Sequence, residues 1–268
     1  MKAAPRMTND QIPVVILCGG QGARLREETE YRPKPMVEVG GHPIIWHIMK
    51  IYGAAGFKKF ILCLGYKGHL IKEYFMHHRS LTNDFTVNLG KKGGISYHGR
   101  EEDDFEVTLA DTGLDTMTGA RLKRIENYID TDTFMVTYGD GLIDLDIDDL
   151  LAFHRSAGTA ATVTAVQPVS RFGVLEFNDG KRVTSFKEKP QVRGWTSAGF
   201  FVFNRKVFDY LSTDEDCVLE QEPLINLAND GELSAFPHNG FFFAMDTYRE
   251  YLQLNSMWRS QSAPWRKW

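Results

Sequence analysis

The sequence predicts an α/β protein: a mostly parallel central sheet flanked by helices, with β-ribbon insertions. Three observations carry that expectation. Apolar runs at 14–18 (VVILC), 60–64 (FILCL) and 134–138 (FMVTY) are strand-like, and the first, fully apolar from Val14 to Leu17, reads as a buried strand. Helical patterns alternate with these runs through the first half, which implies βαβ units. No repeat, low-complexity tract or linker divides the 268 residues, a length near the upper size of a single hydrophobic core. The expected organisation is therefore a flexible tail over 1–11 and one domain over 12–268.

Taken in order, the first strand is followed by a helix over 43–55, with Pro43 in its first turn and Gly56 as its stop. A second helix is expected over 68–78. Residues 83–110 hold alternating segments (TVNL, ISYH, VTLA), which read as a β-ribbon. The second half predicts a helix over 147–156 and strands at 160–166, 174–178, 183–188 and 199–203. A helix over 219–229, strands at 233–237 and 241–245, and a last helix over 247–259 follow. The acidic run Asp144, Asp146, Asp148, Asp149 contains D-x-D twice, a pattern of metal-dependent glycosyltransferases. A helix start explains it better, because acids complement the positive end of a helix dipole.

Composition narrows the function classes. The net charge of −4 disfavours a general binder of nucleic acid or anionic membrane. No apolar stretch approaches the ~18–20 residues of a membrane span, and MKAAPRMTNDQIP lacks a signal peptide's apolar segment. Cys18, Cys63 and Cys217 form no disulfide framework, and two of them lie in strand-like runs; buried free thiols in a reducing, cytoplasmic compartment are expected.

The chemistry concentrates in 14–36. The first strand feeds a glycine-rich turn, Leu17 to Gly22 with Gly19, Gly20 and Gln21 between, then Arg24, then Lys34 between Pro33 and Pro35. Glycines let backbone N–H groups close on phosphate oxygens. Flanking prolines present the lysine stiffly. Two familiar phosphate loops fail. A P-loop needs Lys-Ser/Thr after its last glycine, where Ala23-Arg24 stands; the dinucleotide pattern needs a third glycine, where Leu25 stands. A polyanion such as a nucleoside triphosphate fits what remains. Two aspartates end apolar strands, Asp140 after Tyr138-Gly139 and Asp246 after Met245. Carboxylates at the carboxyl edge of an α/β sheet can share one Mg²⁺ with phosphate oxygens and water.

GGxGxRL followed by PKPM resembles the sugar-1-phosphate nucleotidyltransferase family. Residues 45–50 (IWHIMK), 112–124 (TGLDTMTGARLKR), 245–247 (MDT) and 263–265 (APW) are similar to its glucose-1-phosphate cytidylyltransferase branch, so the resemblance spans about 12–268. It implies a Rossmann-like, GT-A-like fold and a Mg²⁺-dependent transfer of cytidylyl from CTP to α-D-glucose 1-phosphate. It also implies residue roles. Arg24 and Lys34 are catalytic; Leu17, Gly19, Gly20, Gln21, Gly22 and Gly139 hold the nucleotide; Thr116 and Arg121 choose the base; Asp140 and Asp246 bind the metal. Glu188 and Lys189 of the EKP motif, with Ser197 and Gly199, take the sugar phosphate, and Arg171-Phe172-Gly173 walls the same pocket. The expected partners are these two substrates and further copies of the chain, with no nucleic acid or membrane. The chain departs from the pattern at Ser197, where the family carries Asn, and at Arg32, where it carries Lys. Alternatives on the same fold are UTP or dTTP as donor, another phosphorylated acceptor, or a non-catalytic nucleotide-sensing subunit.

Overall fold

The computed structural model describes residues 7–91, 93–99, 103–170, 172–191 and 194–268. The first half contains β1 (Val14–Leu17), the short α1 (Arg26–Thr29), the ribbon β2 (Glu38–Val39) and β3 (His42–Pro43), α2 (Ile44–Ala54), β4 (Lys59–Leu64) and α3 (Gly68–Thr82). A second ribbon, β5 (Asp84–Val87) and β6 (Ile95–His98), precedes β7 (Glu106–Asp111), α4 (Thr118–Arg124) and β8 (Thr133–Tyr138). Then come β9 (Gly141–Ile143), α5 (Ile147–Ala157), β10 (Ala161–Val166), the hairpin β11 (Val174–Phe177) and β12 (Val183–Lys187), and β13 (Thr196–Asn204). The chain closes with α6 (Glu222–Asn229), β14 (Leu233–His238), β15 (Phe242–Ala244) and α7 (Tyr248–Arg259).

Seven strands form one sheet in the order β14-β10-β13-β8-β1-β4-β7. Four of its six pairings are parallel, and β13 runs antiparallel to both neighbours. All four residues of β1 are buried because both faces of the sheet are covered. Alternation then splits the strand between two cores. Val14 and Ile16 pack with Ile44 and Ile48 of α2, whereas Val15 and Leu17 pack with Leu122 of α4 and Phe201 of β13. Register places the site. Leu17 lies opposite Cys63 on one side and Tyr138 on the other, so the segments leaving β1 and β8 emerge at one edge.

Three expectations change. Residues 106–111 are not part of the inserted ribbon; they pair with β4 as the sheet's edge strand, where only Ala110 is buried. The helix α4, with the turn before it, was not singled out as an element. The tail is anchored at its inner end, because the Asn9 amide donates to Ala55 O (2.7 Å) and to Asp148 (2.6 Å); residues 1–6 lie outside the described residues. The acidic run is a helix start: Asp146 caps α5, accepting from the Asp149 N–H at 3.1 Å.

Candidate active site

Strand β1 ends in a turn that neighbouring chain ends hold in place. Cys18 N–H donates to Cys63 O (3.0 Å), Gly139 N–H to Leu17 O (3.1 Å) and Tyr66 N–H to Gly19 O (3.1 Å). Gly22 adopts the left-handed conformation (φ 64°) that favours glycine, and its carbonyl accepts from the Thr29 hydroxyl at 3.0 Å. Beside this turn lies a cavity of about 360 Å³, walled by Leu17, Gly19, Gly20, Arg24, Lys34 and Asp140 among others.

Arg24, Lys34 and Asp140 line this cavity, and Asp246 joins them through its ion pairs with both cations. Pro33 is extended (φ −68°, ψ 150°) and starts a tight turn over Lys34–Met36, which sends the lysine inward with only 12% of its side chain exposed. Lys34 Nζ is 2.5 Å from Asp140 Oδ2 and 2.8 Å from Asp246 Oδ1. Arg24, largely exposed, reaches the same Asp246 oxygen at 2.9 Å. Burial pulls the lysine's pKa down, but the Asp140 and Asp246 carboxylates outweigh it and hold the ammonium above its ordinary value. The aspartates are neighbours because β15 pairs with β9 and Met245 N–H donates to Asp140 O at 2.9 Å. Asp246 is fixed from behind: its N–H and that of Thr247 both donate to Glu250 (2.7 and 2.9 Å), while Thr247 caps α7.

Two carboxylates aimed at one positive point suit a hard divalent cation. Among the described residues no group of three or more His, Cys, Asp or Glu side chains could hold a metal ion. Any metal here would therefore take its other oxygens from phosphate and water. The two buried thiols offer no nucleophile: burial pushes the pKa of Cys63 up to about 12 and that of Cys18 well above its ordinary value.

Arg121 is placed differently from the base reader implied by the resemblance. It lines the cavity wall, but it is buried, and its terminal nitrogens serve the scaffold. Nη1 donates to Leu64 O (2.9 Å), Thr112 Oγ1 (2.9 Å) and Gly113 O (2.6 Å), and Nη2 to Gly19 O (3.3 Å) and Leu114 O (3.1 Å). These carbonyls lie where the chain leaves β1, β4 and β7, and Arg121 gathers them; two of them also accept backbone N–H bonds, Gly19 O from Tyr66 and Leu64 O from Thr112. Thr116 lines the same wall and accepts from Arg124 at 2.8 Å.

The residues expected from the resemblance to take the sugar phosphate stand apart. Glu188 and Lys189 follow β12, mostly exposed, and pair with each other at 3.3 Å. Neither they, Ser197 nor Gln21 lines the cavity. Ser197 Oγ accepts from Gly199 N–H at 3.1 Å. Gly199 has φ 74°, and a Cβ there would run into the Tyr138 ring. Arg171 lies outside the described residues; its neighbour Phe172 is exposed. Tyr138 and Thr118 also wall the cavity, and neither was singled out from the sequence as a site residue. Tyr138 could have been, as the residue before Gly139-Asp140.

Comparison with known proteins agrees with this geometry. Residues 13–230 match the family model described as Nucleotidyl transferase. The chain is 48% identical to the glucose-1-phosphate cytidylyltransferase of Salmonella typhimurium over 95% of its length and 98% of the relative's. It is 45% identical to the probable glucose-1-phosphate cytidylyltransferase of Bacillus subtilis over 95% of its length and 99% of the relative's. The crystal structure of HddC from Yersinia pseudotuberculosis superposes with a TM-score of 0.65 at 22% identity, covering 92% of this chain and 99% of that one, which shows a shared fold. A mostly parallel sheet carrying a glycine turn and a cation–carboxylate cluster at one edge, with relatives this similar over nearly the whole length, shows that the chain belongs to the nucleotidyl transferase family, on its glucose-1-phosphate cytidylyltransferase branch.

Proposed function

We propose that the protein transfers a cytidylyl group from CTP to α-D-glucose 1-phosphate, giving CDP-glucose and pyrophosphate, with Mg²⁺ as its metal. The observation that carries this reading is the chain of three ion pairs, Arg24–Asp246, Asp246–Lys34 and Lys34–Asp140, beside the glycine turn. The turn Leu17–Gly22 and Gly139 bind the triphosphate. The acceptor's phosphate oxygen is already anionic, so it attacks the α-phosphorus without a general base, and pyrophosphate leaves. What the protein supplies is position and positive charge: Lys34 and Arg24 offset the charge that builds on the phosphoryl oxygens. Asp140 and Asp246 would hold the metal, which supplies further charge neutralisation to the phosphates when bound. Glu188, Lys189, Ser197 and Gly199 receive the sugar phosphate.

The reading has a direct test. Purified protein with Mg²⁺ is given each of four nucleoside triphosphates and a panel of sugar 1-phosphates, and released pyrophosphate is measured. Release with CTP and glucose 1-phosphate is expected; release only with another pair moves the substrate assignment, and release with none ends it. Asp140→Asn should raise the Mg²⁺ concentration needed for half-maximal turnover, and an unchanged metal titration would remove Asp140 from the metal site. Exposed apolar residues on the ribbon β5–β6 (Phe85, Val87, Ile95) support assembly of the chain with further copies, which light scattering would detect. Its free cysteines support a cytoplasmic setting.

A further inference from the structure

Glu220 lies in no motif noted in the sequence, yet it joins two walls of the nucleotide cavity. Tyr138, at the end of β8, donates its phenolic proton to Glu220 Oε1, and Thr118, opening α4, donates its hydroxyl to Oε2 at 2.6 Å. Both donors line the cavity with Lys34 and Asp140. The segment that carries Glu220 is stitched along the start of α4. Met117 N–H donates to Glu215 O (2.8 Å), Gly119 and Ala120 N–H to Cys217 O (3.0 and 3.1 Å), and Leu219 N–H to Thr118 Oγ1 (3.0 Å).

A hydroxyl carries one proton, and an ionised carboxylate only accepts. With both protons turned to Glu220, the two hydroxyls have only oxygen lone pairs left for a ligand. That wall therefore favours a ligand donor and disfavours phosphate oxygens, which the Lys34 and Arg24 end attracts. The Tyr138 ring also fills the space beside Gly199, on the acceptor side. We propose that Glu220 is a positioning residue: by holding the Tyr138 and Thr118 hydroxyls, it makes this wall a reader of substrate sugar hydroxyls. The inference rests on the assignment of the cavity to a nucleotide and a sugar phosphate. The hydroxyl could belong to the ribose of the triphosphate or to the hexose of the acceptor, and the test separates the two.

Steady-state kcat and KM are measured for the wild type, Glu220→Gln, Glu220→Asp and Tyr138→Phe. The ligand pairs are CTP against 2′-deoxy-CTP, and glucose 1-phosphate against its monodeoxy analogues. Glutamine brings an amide donor and must turn one hydroxyl round. Roughly tenfold discrimination by the wild type against one deoxy ligand is expected, collapsing in Glu220→Gln and Tyr138→Phe through KM with kcat changed less. Glu220→Asp should restore part of it. Discrimination lost only toward deoxy-CTP assigns the ribose; lost only toward a deoxyhexose, the acceptor. Equal loss for hydroxy and deoxy ligands, or unchanged discrimination in Glu220→Gln, overturns the proposal while leaving the transfer reaction standing. Should the wild type release no pyrophosphate with any pair, the reaction falls instead, and calorimetric titration of the same ligands decides the role of Glu220 by the same criteria.

Discussion

The end proposed for the nucleotide and the end proposed for the sugar phosphate are built to different standards. At the first, two cations and two carboxylates arrive from four separate segments and meet within 3 Å contacts, held by proline, ribbon pairing and a capping box. At the second, Glu188 and Lys189 stand on an open hairpin beside exposed Val174, Phe177 and Phe186. At the first end the charged groups are already gathered, which lowers the cost of ordering them for a ligand. On the proposed function, the exposed Glu188 and Lys189 must be ordered when a sugar phosphate binds, which costs conformational entropy. Changes at the two ends should therefore fail in different ways.

The largest effect should follow Lys34→Ala. Losing one preorganised charge donor costs roughly 10²–10³ in turnover, about 3–4 kcal/mol. The variant should keep its fold by circular dichroism, and near-normal turnover would break the contrast at its strongest point.

A comparable change in stability should come from acid, through the support behind the same end. His47 on α2 is buried; its Nε2 is 2.8 Å from Val39 O, and its Nδ1 accepts from Trp265 at 3.3 Å. Its ring also meets Trp258 of α7 edge-on, the helix that follows Asp246. With Val39 O accepting at Nε2, the ring is neutral, and burial pulls its pKa to about 4. The folded state thus binds fewer protons than the unfolded chain between about pH 6.5 and 4. Stability is full above that window and falls through it, by about 3 kcal/mol. Urea denaturation from pH 7 to 4 should show the fall, and His47→Gln should flatten it.

The smallest effect belongs to the hairpin. Glu188→Gln should raise the KM for the sugar phosphate by about tenfold, the worth of a modest hydrogen bond. Its CTP affinity should stay as it was. A loss of CTP binding on calorimetry would mean that the two ends are one unit.

Much of the nucleotide end was legible because its signals are local. A buried strand, a glycine turn and a lysine between prolines all lie within residues 14–35. The aspartates were legible as residues that end apolar strands, and the pairing of β9 with β15 accounts for their meeting. Arg121 was legible as a cavity residue but not as a clamp. Its role depends on where the carbonyls of Gly19, Leu64 and Gly113 come to rest, and no spacing in the chain records that. Edge strand β7 reads like a ribbon because polar and apolar residues mix in its sequence, Glu106 to Asp111, as they do in the ribbon strands. Glu220 has no local signature at all, since its meaning comes from Tyr138, 82 positions away.

The pairing of β15 with β9 also bears on how the protein is made. Three members of the charge cluster, Arg24, Lys34 and Asp140, precede Asp246 by over a hundred residues. During vectorial synthesis the growing chain carries two cations against a single anion until β15 emerges and Met245 docks on Asp140. The excess positive charge of that nascent state is cancelled only by Asp246, just after β15, so translation must pass that residue before the four charges of the cluster can balance.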